Sequence, residues 1–184
     1  MLRFTLNSRG FTLIELMLTI AVAATLLAIG VPVMMDVTEG SKLNAATREL
    51  ERELQSARFK AVSNNRSLRV RLNCPAAGYY RTVEVLGTVA DSAADRCLVS
   101  AYPFPADNDF TTRPNFDGPP RVLPNQATVT DGVLEFRPDG TAYTVVANVA
   151  QPMGAPVTLT VTRNGKSKAM TINASGKIQL QLQQ

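Results

Sequence analysis

A long uncharged apolar segment near the N-terminus constrains the chain more than any other feature. Residues 16–35 contain no charged side chain. A helix of about 20 residues spans ~30 Å, the thickness of the hydrocarbon core of a bilayer. Arg3 and Arg9 precede the run, and flanking basic residues keep the adjoining end of a membrane helix in the cytoplasm. The sequence therefore predicts one span of the inner membrane, with the C-terminal body outside it.

Glu15 stands at the start of the apolar segment. It helps to decide between the explanations of that segment, which are a secretory signal peptide, a plain membrane anchor and a segment with a further function. A secretory signal peptide has an apolar core of ~7–15 residues followed by a small-residue cleavage site, but here the run is longer and Gly10 stands before it. A plain membrane anchor would not explain the carboxylate, because a charge deep in the bilayer costs ~2.5–3.5 kcal/mol. A carboxylate near a helix N-terminus also interacts favourably with the helix dipole. A functional role and a helix-start role therefore both remain open for Glu15.

The string RGFTLIEL at residues 9–16 resembles the class III signal of type IV pilins and type II secretion pseudopilins. The resemblance implies that residues 1–10 are a leader peptide, that a prepilin peptidase cleaves between Gly10 and Phe11, and that the same enzyme N-methylates Phe11. It also implies that Glu15 recruits the subunit into a filament by neutralising the terminal amine of a neighbour. Such pairing would fix the axial register, because unpaired charges in an apolar filament core are costly.

Gly30 and Pro32 are predicted to interrupt the transmembrane and filament-core helix at residues 11–35. A proline removes one backbone hydrogen bond and clashes with the preceding turn. Kinks of this kind are also tolerated in ordinary membrane helices. The resemblance to pilins implies that the helix loosens at this place inside the filament.

A second, amphipathic helix is predicted over residues 36–65, continuing out of the membrane. Apolar residues recur at spacings of three and four and so share one face. They are Leu43, Ala46, Leu50, Leu54, Ala57 and Ala61. The opposite surface carries charged residues, of which Glu49 and Arg52 are spaced to pair weakly. The sequence Ser63-Asn64-Asn65 has poor helix formers and is predicted to end the helix.

The remainder of the chain, residues 66–184, has the pattern of a β-rich head. Predicted strands cover residues 67–74, 79–86, 132–136, 157–162, 169–172 and 177–182. Turn signals stand at PDG (138–140), NG (164–165) and ASG (174–176). Residues 101–124 are rich in Pro, Asp and Asn and are predicted to form a long loop.

This head resembles the GspH/FimT family, known as pseudopilin H in secretion systems and as a minor pilin in type IV pili. The resemblance rests on LEFRPDG at residues 134–140 and on the C-terminal run VTLTVTRNGKSKAMTINASGKIQL. The implied fold is α+β, with a long N-terminal helix packed on a β-sandwich-like head of two antiparallel sheets. The implied partners are other pilin or pseudopilin subunits, the prepilin peptidase and the inner membrane.

The residue types present argue against an enzyme and against a metal site. The chain has no histidine, and histidine is the commonest general base and metal ligand. Cys74 and Cys97 are the only cysteines; two cysteines do not make a structural zinc site, and no histidine exists to activate a cysteine nucleophile. An even cysteine count in an exported chain instead favours a disulfide, with two unpaired thiols as the alternative. No cofactor is expected.

Two functions remain open for the head. The first is structural: a minor subunit of a type II secretion pseudopilus or of a type IV pilus, taking part in protein secretion or pilus assembly. The second is DNA binding for natural transformation, which the resemblance implies for some FimT-like pilins through basic residues near the C-terminus. The candidates for phosphate contacts are Arg163, Lys166, Lys168 and Lys177. Here Gln179 stands where a further basic residue is expected, and the same residues suit a solvated strand face.

Overall fold

The computed structural model describes residues 12–103 and 116–181. The chain divides into two units, Met1–Glu39 and Gly40–Gln184. Helix α1 is Leu13–Ser63. The first unit contributes the apolar part of this helix, and the second contributes its amphipathic part together with the strands described below.

The amphipathic part of α1 packs through the predicted stripe. All six apolar residues of the stripe are buried, so this prediction is confirmed. Thr47 is buried beside them, and its hydroxyl donates to the carbonyl of Leu43 at 2.8 Å. The helix ends after Ser63, as predicted: Asn65 has a φ of 53°, and the N–H of Arg66 reaches back to the carbonyl of Ala61 at 3.1 Å. This is the Schellman arrangement, which satisfies the last carbonyls of a helix.

Ten strands lie in the described residues, and they form two antiparallel sheets. The larger sheet has the order β3-β2-β1-β5-β6-β7, and the smaller has the order β10-β9-β8-β4. The bounds are β1 Leu68–Leu72, β2 Tyr79–Glu84, β3 Arg121–Val122, β4 Thr128–Val129, β5 Val133–Phe136, β6 Ala142–Val146, β7 Val149–Pro152, β8 Val157–Arg163, β9 Lys166–Ile172 and β10 Ile178–Leu180.

One core joins the amphipathic part of α1 to both sheets. Side chains from α1, from the larger sheet and from the smaller sheet meet in a single buried cluster. Representative members are Leu50 from α1, Val70 and Phe136 from the larger sheet, and Val161 and Ile172 from the smaller sheet. The predicted α+β class, a long helix packed on two antiparallel sheets, is confirmed.

The predicted turns all form. Between β8 and β9 the two-residue turn has positive φ at both Asn164 and Gly165, the geometry that suits the twist of a hairpin. Gly140 closes the turn after β5, where its N–H donates to the carbonyl of Arg137 at 2.9 Å. Gly176 closes the last turn by donating to the carbonyl of Asn173, also at 2.9 Å.

Four strands of the structure were not predicted, namely β3, β4, β6 and β7. The hairpin β6–β7 turns through Ala147 and Asn148, both with positive φ. An Ala-Asn pair is a weak turn signal because alanine rarely adopts this conformation. Strands β3 and β4 are very short pairings at sheet edges, and β3 lies within the predicted loop 101–124. The N-terminal half of β9 was also missed, since Lys166 and Lys168 look like loop residues.

Candidate functional site

The apolar part of α1 is the first candidate site, because its side chains lie exposed in the isolated chain. Among the described residues, α1 contains the one stretch long and apolar enough to cross a membrane, and none of that stretch is buried. Leu13 is 77% exposed and Ile29 is 70% exposed. An apolar surface of this extent needs a lipid or protein environment. Its length and composition are those of a membrane anchor.

Glu15 lies in the first turn of α1 and is exposed. Its backbone N–H donates to the hydroxyl of Thr12 at 3.3 Å, so Thr12 caps the helix. Thr12 and Glu15 have the spacing of a capping box. In that motif the side chain of the first residue accepts from the backbone N–H of the second, and the side chain of the second accepts from the backbone N–H of the first. The contact seen here uses the backbone of Glu15 and leaves its carboxylate exposed, so both roles of that carboxylate stay open. Gly10 and Phe11, the predicted cleavage and methylation residues, lie outside the described residues.

The predicted interruption of α1 at Gly30 and Pro32 is not present in this structure. Helix α1 continues through both residues, with Pro32 inside it. A proline removes only its own donor from the hydrogen-bond ladder, and a long helix can retain the bonds on either side. A Cβ at Gly30 would meet nothing within 4 Å. The loosening of the helix in a filament therefore stays a prediction about the assembled state.

Cys74 and Cys97 are joined by a disulfide. Cys74 follows β1, and Cys97 ends a short 3-10 turn, Ala94–Cys97. Both side chains are buried. The bridge ties the segment between β2 and β3 to the strand at the centre of the larger sheet.

A buried polar cluster lies under the same segment, and the sequence did not reveal it. Arg96 is fully buried and binds Asp117 through two hydrogen bonds, Nε to Oδ2 at 2.9 Å and Nη2 to Oδ1 at 3.0 Å. Arg81 is also fully buried and donates to four carbonyls, those of Gly118 at 2.8 Å, Arg96 at 2.7 Å, Tyr102 at 2.6 Å and Leu98 at 3.4 Å. Burial lowers the pKa of the Arg81 guanidinium, and the Asp117 carboxylate acts in the opposite direction. The cluster fixes the segment on the outer face of the larger sheet.

The basic residues proposed for DNA binding are distributed over two places. Arg163 and Lys166 face each other at the β8–β9 hairpin, and Lys168 lies on β9. Lys168 donates to the side chain of Asn44 on α1 at 2.6 Å, and Arg163 donates to the carbonyl of Asn125 at 2.6 Å. Two of the four thus hold the smaller sheet to its neighbours. Lys177 lies in the turn before β10, in a hollow lined also by Arg58 and Phe59 from α1.

No group of three or more potential metal-ligating residues occurs in the described part of the chain. Among its hollows, one is lined by α1 and Pro124, one by the larger sheet with Asp91 and Ser92, and one by α1 and the residues around the turn before β10.

Comparison with known protein families gives two matches. The model of the type II transport protein GspH matches residues 46–176. The model of the prokaryotic N-terminal methylation motif matches residues 5–31. The first covers the amphipathic part of α1 and almost all of the strands, and the second covers the apolar segment and the residues before it. No curated protein matches the chain.

Two types of solved structure are similar to the chain at low identity. A crystal structure of the type IV minor pilin FimU from Pseudomonas aeruginosa has 20% sequence identity and a TM-score of 0.49, covering 79% of this chain and 92% of that chain. The minor pseudopilin EpsH from the type 2 secretion system of Vibrio cholerae has 12% identity and a TM-score of 0.44, covering 76% and 96%. None of the comparisons supports the DNA-binding alternative.

Proposed function

The chain belongs to the GspH family of type II transport proteins, as a minor pseudopilin-type subunit for secretion or pilus assembly, and we propose that it works as a membrane-stored precursor that polymerises through α1. The observation that carries this proposal is the exposed apolar part of α1 with one carboxylate, Glu15, in its first turn. The described part of the head has no comparable continuous apolar surface, since most of its apolar side chains lie in the core.

The proposed route has three steps. The precursor lies across the inner membrane with its N-terminus in the cytoplasm and its head in the periplasm, as Arg3 and Arg9 favour. A prepilin peptidase removes residues 1–10 and methylates Phe11, which the match to the methylation motif over residues 5–31 supports. The cleaved helix then passes from lipid into a filament of other pilin-type subunits, where Glu15 pairs with a terminal amine.

The test of the assembly step is Glu15→Gln, with Thr19→Val as the matched control. Glu15→Gln removes the charge at nearly constant shape, whereas Thr19→Val removes a hydroxyl that only donates to the carbonyl of Leu16 within the helix. We expect the first variant to be cleaved and inserted normally but to be depleted from sheared filaments or from the assembled secretion complex. We expect the second to assemble as the unmodified protein does. Equal incorporation of the two variants would show that Glu15 acts only as a helix-start residue.

The test of the processing step is Gly10→Val, with Ser8→Val as its control. A branched side chain beside the scissile bond should block cleavage, so the mass of the Gly10 variant should remain that of the precursor. The Ser8 variant should lose the leader. A Gly10 variant that still loses residues 1–10 would contradict the proposed cleavage site.

A further inference from the structure

Four arginines lie on the outer face of the larger sheet, and one of them makes only a single hydrogen bond to the described residues. Alternation along β1 places Arg69 and Arg71 on this face, away from the core side chains Leu68, Val70 and Leu72. Arg81 on β2 and Arg96 in the covering segment share the same face. Arg71 is the exception among them.

The partners of the other three arginines are all close. Arg69 faces Glu135 across the β1–β5 pair, and the two side chains meet at 2.9 Å. Arg96 binds Asp117, and Arg81 is surrounded by carbonyls. Each guanidinium is therefore neutralised or fully hydrogen-bonded, as a buried charge requires.

Arg71 is held differently. Across the β1–β5 pair it faces Val133 instead of an acid, and across the β1–β2 pair it faces Arg81. Its one hydrogen bond to the described residues runs from Nη1 to the carbonyl of Ala93 at 2.9 Å, and no described carboxylate forms an ion pair with it. A guanidinium has five N–H donors, so most of the donors of Arg71 remain available.

The electrostatic surroundings of Arg71 favour an anion. Burial lowers the pKa of its guanidinium, and the charges of Arg96 and Arg69 lower that pKa further. A partly desolvated cation beside two like charges is unfavourable. A negative group placed beside Arg71 would offset the repulsion and stabilise the charged guanidinium.

A hollow of about 200 Å³ lies beside Arg71, and it is lined by two kinds of surface. One wall is aliphatic and consists of Val133, Val145 and Ala147. The acidic residue in the lining, Asp91, is already engaged, because its two carboxylate oxygens accept from the N–H groups of Leu86 and Gly87, each at 2.8 Å. The hollow therefore combines one available guanidinium with a wall suited to methylene groups.

We propose that this hollow binds an aliphatic carboxylate, with its oxygens on the Arg71 guanidinium and its methylene stem against Val133 and Val145. The planar fork of an arginine matches a carboxylate in a bidentate pair. The aliphatic wall and the nearby Asp91 charge both disfavour a compact dianion such as phosphate. The carboxylate is either a glutamate or aspartate side chain of another protein or a free aliphatic acid.

The direct test uses the full chain in detergent micelles with ¹⁵N-labelled arginine side chains. Sodium butyrate is titrated against sodium chloride and sodium phosphate at matched ionic strength, and the Nε–Hε resonance of Arg71 is identified by its loss in Arg71→Lys. We expect a saturable shift of that resonance with butyrate and not with chloride or phosphate. A butyrate response no different from that of chloride would overturn the site, and an equal response to phosphate would overturn the preference for a carboxylate.

Ala147 offers a second test that does not disturb Arg71. Its φ of 47° is a conformation that Asp and Asn adopt more readily than Ala, so Ala147→Asp and Ala147→Asn should both fold. The Asp variant brings its own carboxylate into the hollow, while the Asn variant has the same shape without the charge. At neutral pH we expect the Asp variant to have the higher thermal midpoint and to lose the butyrate response, which the Asn variant keeps. Equal midpoints with equal butyrate responses would contradict the proposal.

The variants Ala147→Asp and Ala147→Asn also distinguish the two sources of the carboxylate. Only this assembly experiment rests on the proposed filament role. If the group belongs to a neighbouring subunit, Ala147→Asp should reduce incorporation relative to Ala147→Asn. If it is a free acid, the two variants should assemble equally while differing in butyrate binding. Failure of the filament role itself would appear separately, as absence of the unmodified protein from both sheared filaments and the assembled secretion complex, and would leave the butyrate result intact.

Discussion

Strand β1 carries arginines at alternate positions, Arg69 and Arg71, and β2 carries Arg81. This is the sequence pattern of a solvated sheet face, but here that face is largely covered. Arg69 is 5% exposed and Arg81 is fully buried. The residues that bind them follow much later in the chain: Glu135 pairs with Arg69, and the carbonyl of Gly118 accepts from Arg81. Alternation predicts which face a residue takes, but it carries no information on whether a distant loop crosses that face. The alternation of β1 therefore indicates which of its residues share a face, while the burial of Arg69 could not be predicted.

The Arg96–Asp117 pair gives the sharpest residue-scale prediction. Asp117→Asn keeps the size of the side chain but leaves the buried Arg96 without its bidentate carboxylate. Removal of one partner from a buried ion pair costs ~3–5 kcal/mol. The exposed pair of Glu49 and Arg52, 3.8 Å apart, is the control, because Glu49→Gln at such a site costs at most about 1 kcal/mol. Urea unfolding of both variants measures the difference, and an Asp117 variant no less stable than the Glu49 variant would contradict a stabilising role for the buried pair.

Among the elements, those with a strong local pattern were predictable and those made by distant pairing were not. The stripe from Leu43 to Ala61 follows from helical periodicity, and the β8–β9 hairpin follows from Asn164-Gly165. Strand β3 exists only because Arg121 and Val122 pair with the start of β2, and two residues show no periodicity. Of the candidate site residues, Glu15 lies in the first turn of α1, and its role in assembly stays a prediction. The continuity of α1 through Pro32 depends on helix context that the single residue does not show.

The segment between β2 and β3 contains little regular structure where it is described, so the disulfide contributes more than secondary structure to holding it in place. Its described part contains two short 3-10 turns, Val89–Ser92 and Ala94–Cys97, and the bridge closes a sequence separation of 23 residues. In the chain-entropy model a loop of this size contributes ~3 kcal/mol. We expect the double variant Cys74→Ala, Cys97→Ala to lose about that much unfolding free energy relative to the oxidised protein. Under reducing conditions the two proteins should approach equal stability; equal stability under oxidising conditions would show that the bridge contributes nothing.

For the whole molecule, the residues that build the core and those that the proposed filament would use lie in separate parts of the chain. The described core residues begin at Leu43, and the side chains of residues 12–38 are all exposed. The core of the head therefore contains no described residue before Leu43. This separation suits a subunit whose helix exchanges a lipid environment for a protein one while the head remains folded.

The separation predicts where the chain can be shortened. A fragment of residues 40–184 retains the whole described core, so we expect it to be soluble, to unfold cooperatively in urea and to keep the far-UV circular dichroism of a mixed helix and sheet protein. A fragment of residues 56–184 lacks Leu43, Ala46, Leu50 and Leu54, all of them at most 2% exposed. Loss of a single buried leucine side chain costs ~2–5 kcal/mol, and a domain of this size has only ~5–15 kcal/mol of total stability. The shorter fragment should therefore fail to fold, since the sheets would lose the helix that covers their apolar faces. A cooperative transition in the shorter fragment, at the same urea midpoint as in the longer one, would mean that the sheets hold the head together without the amphipathic part of α1.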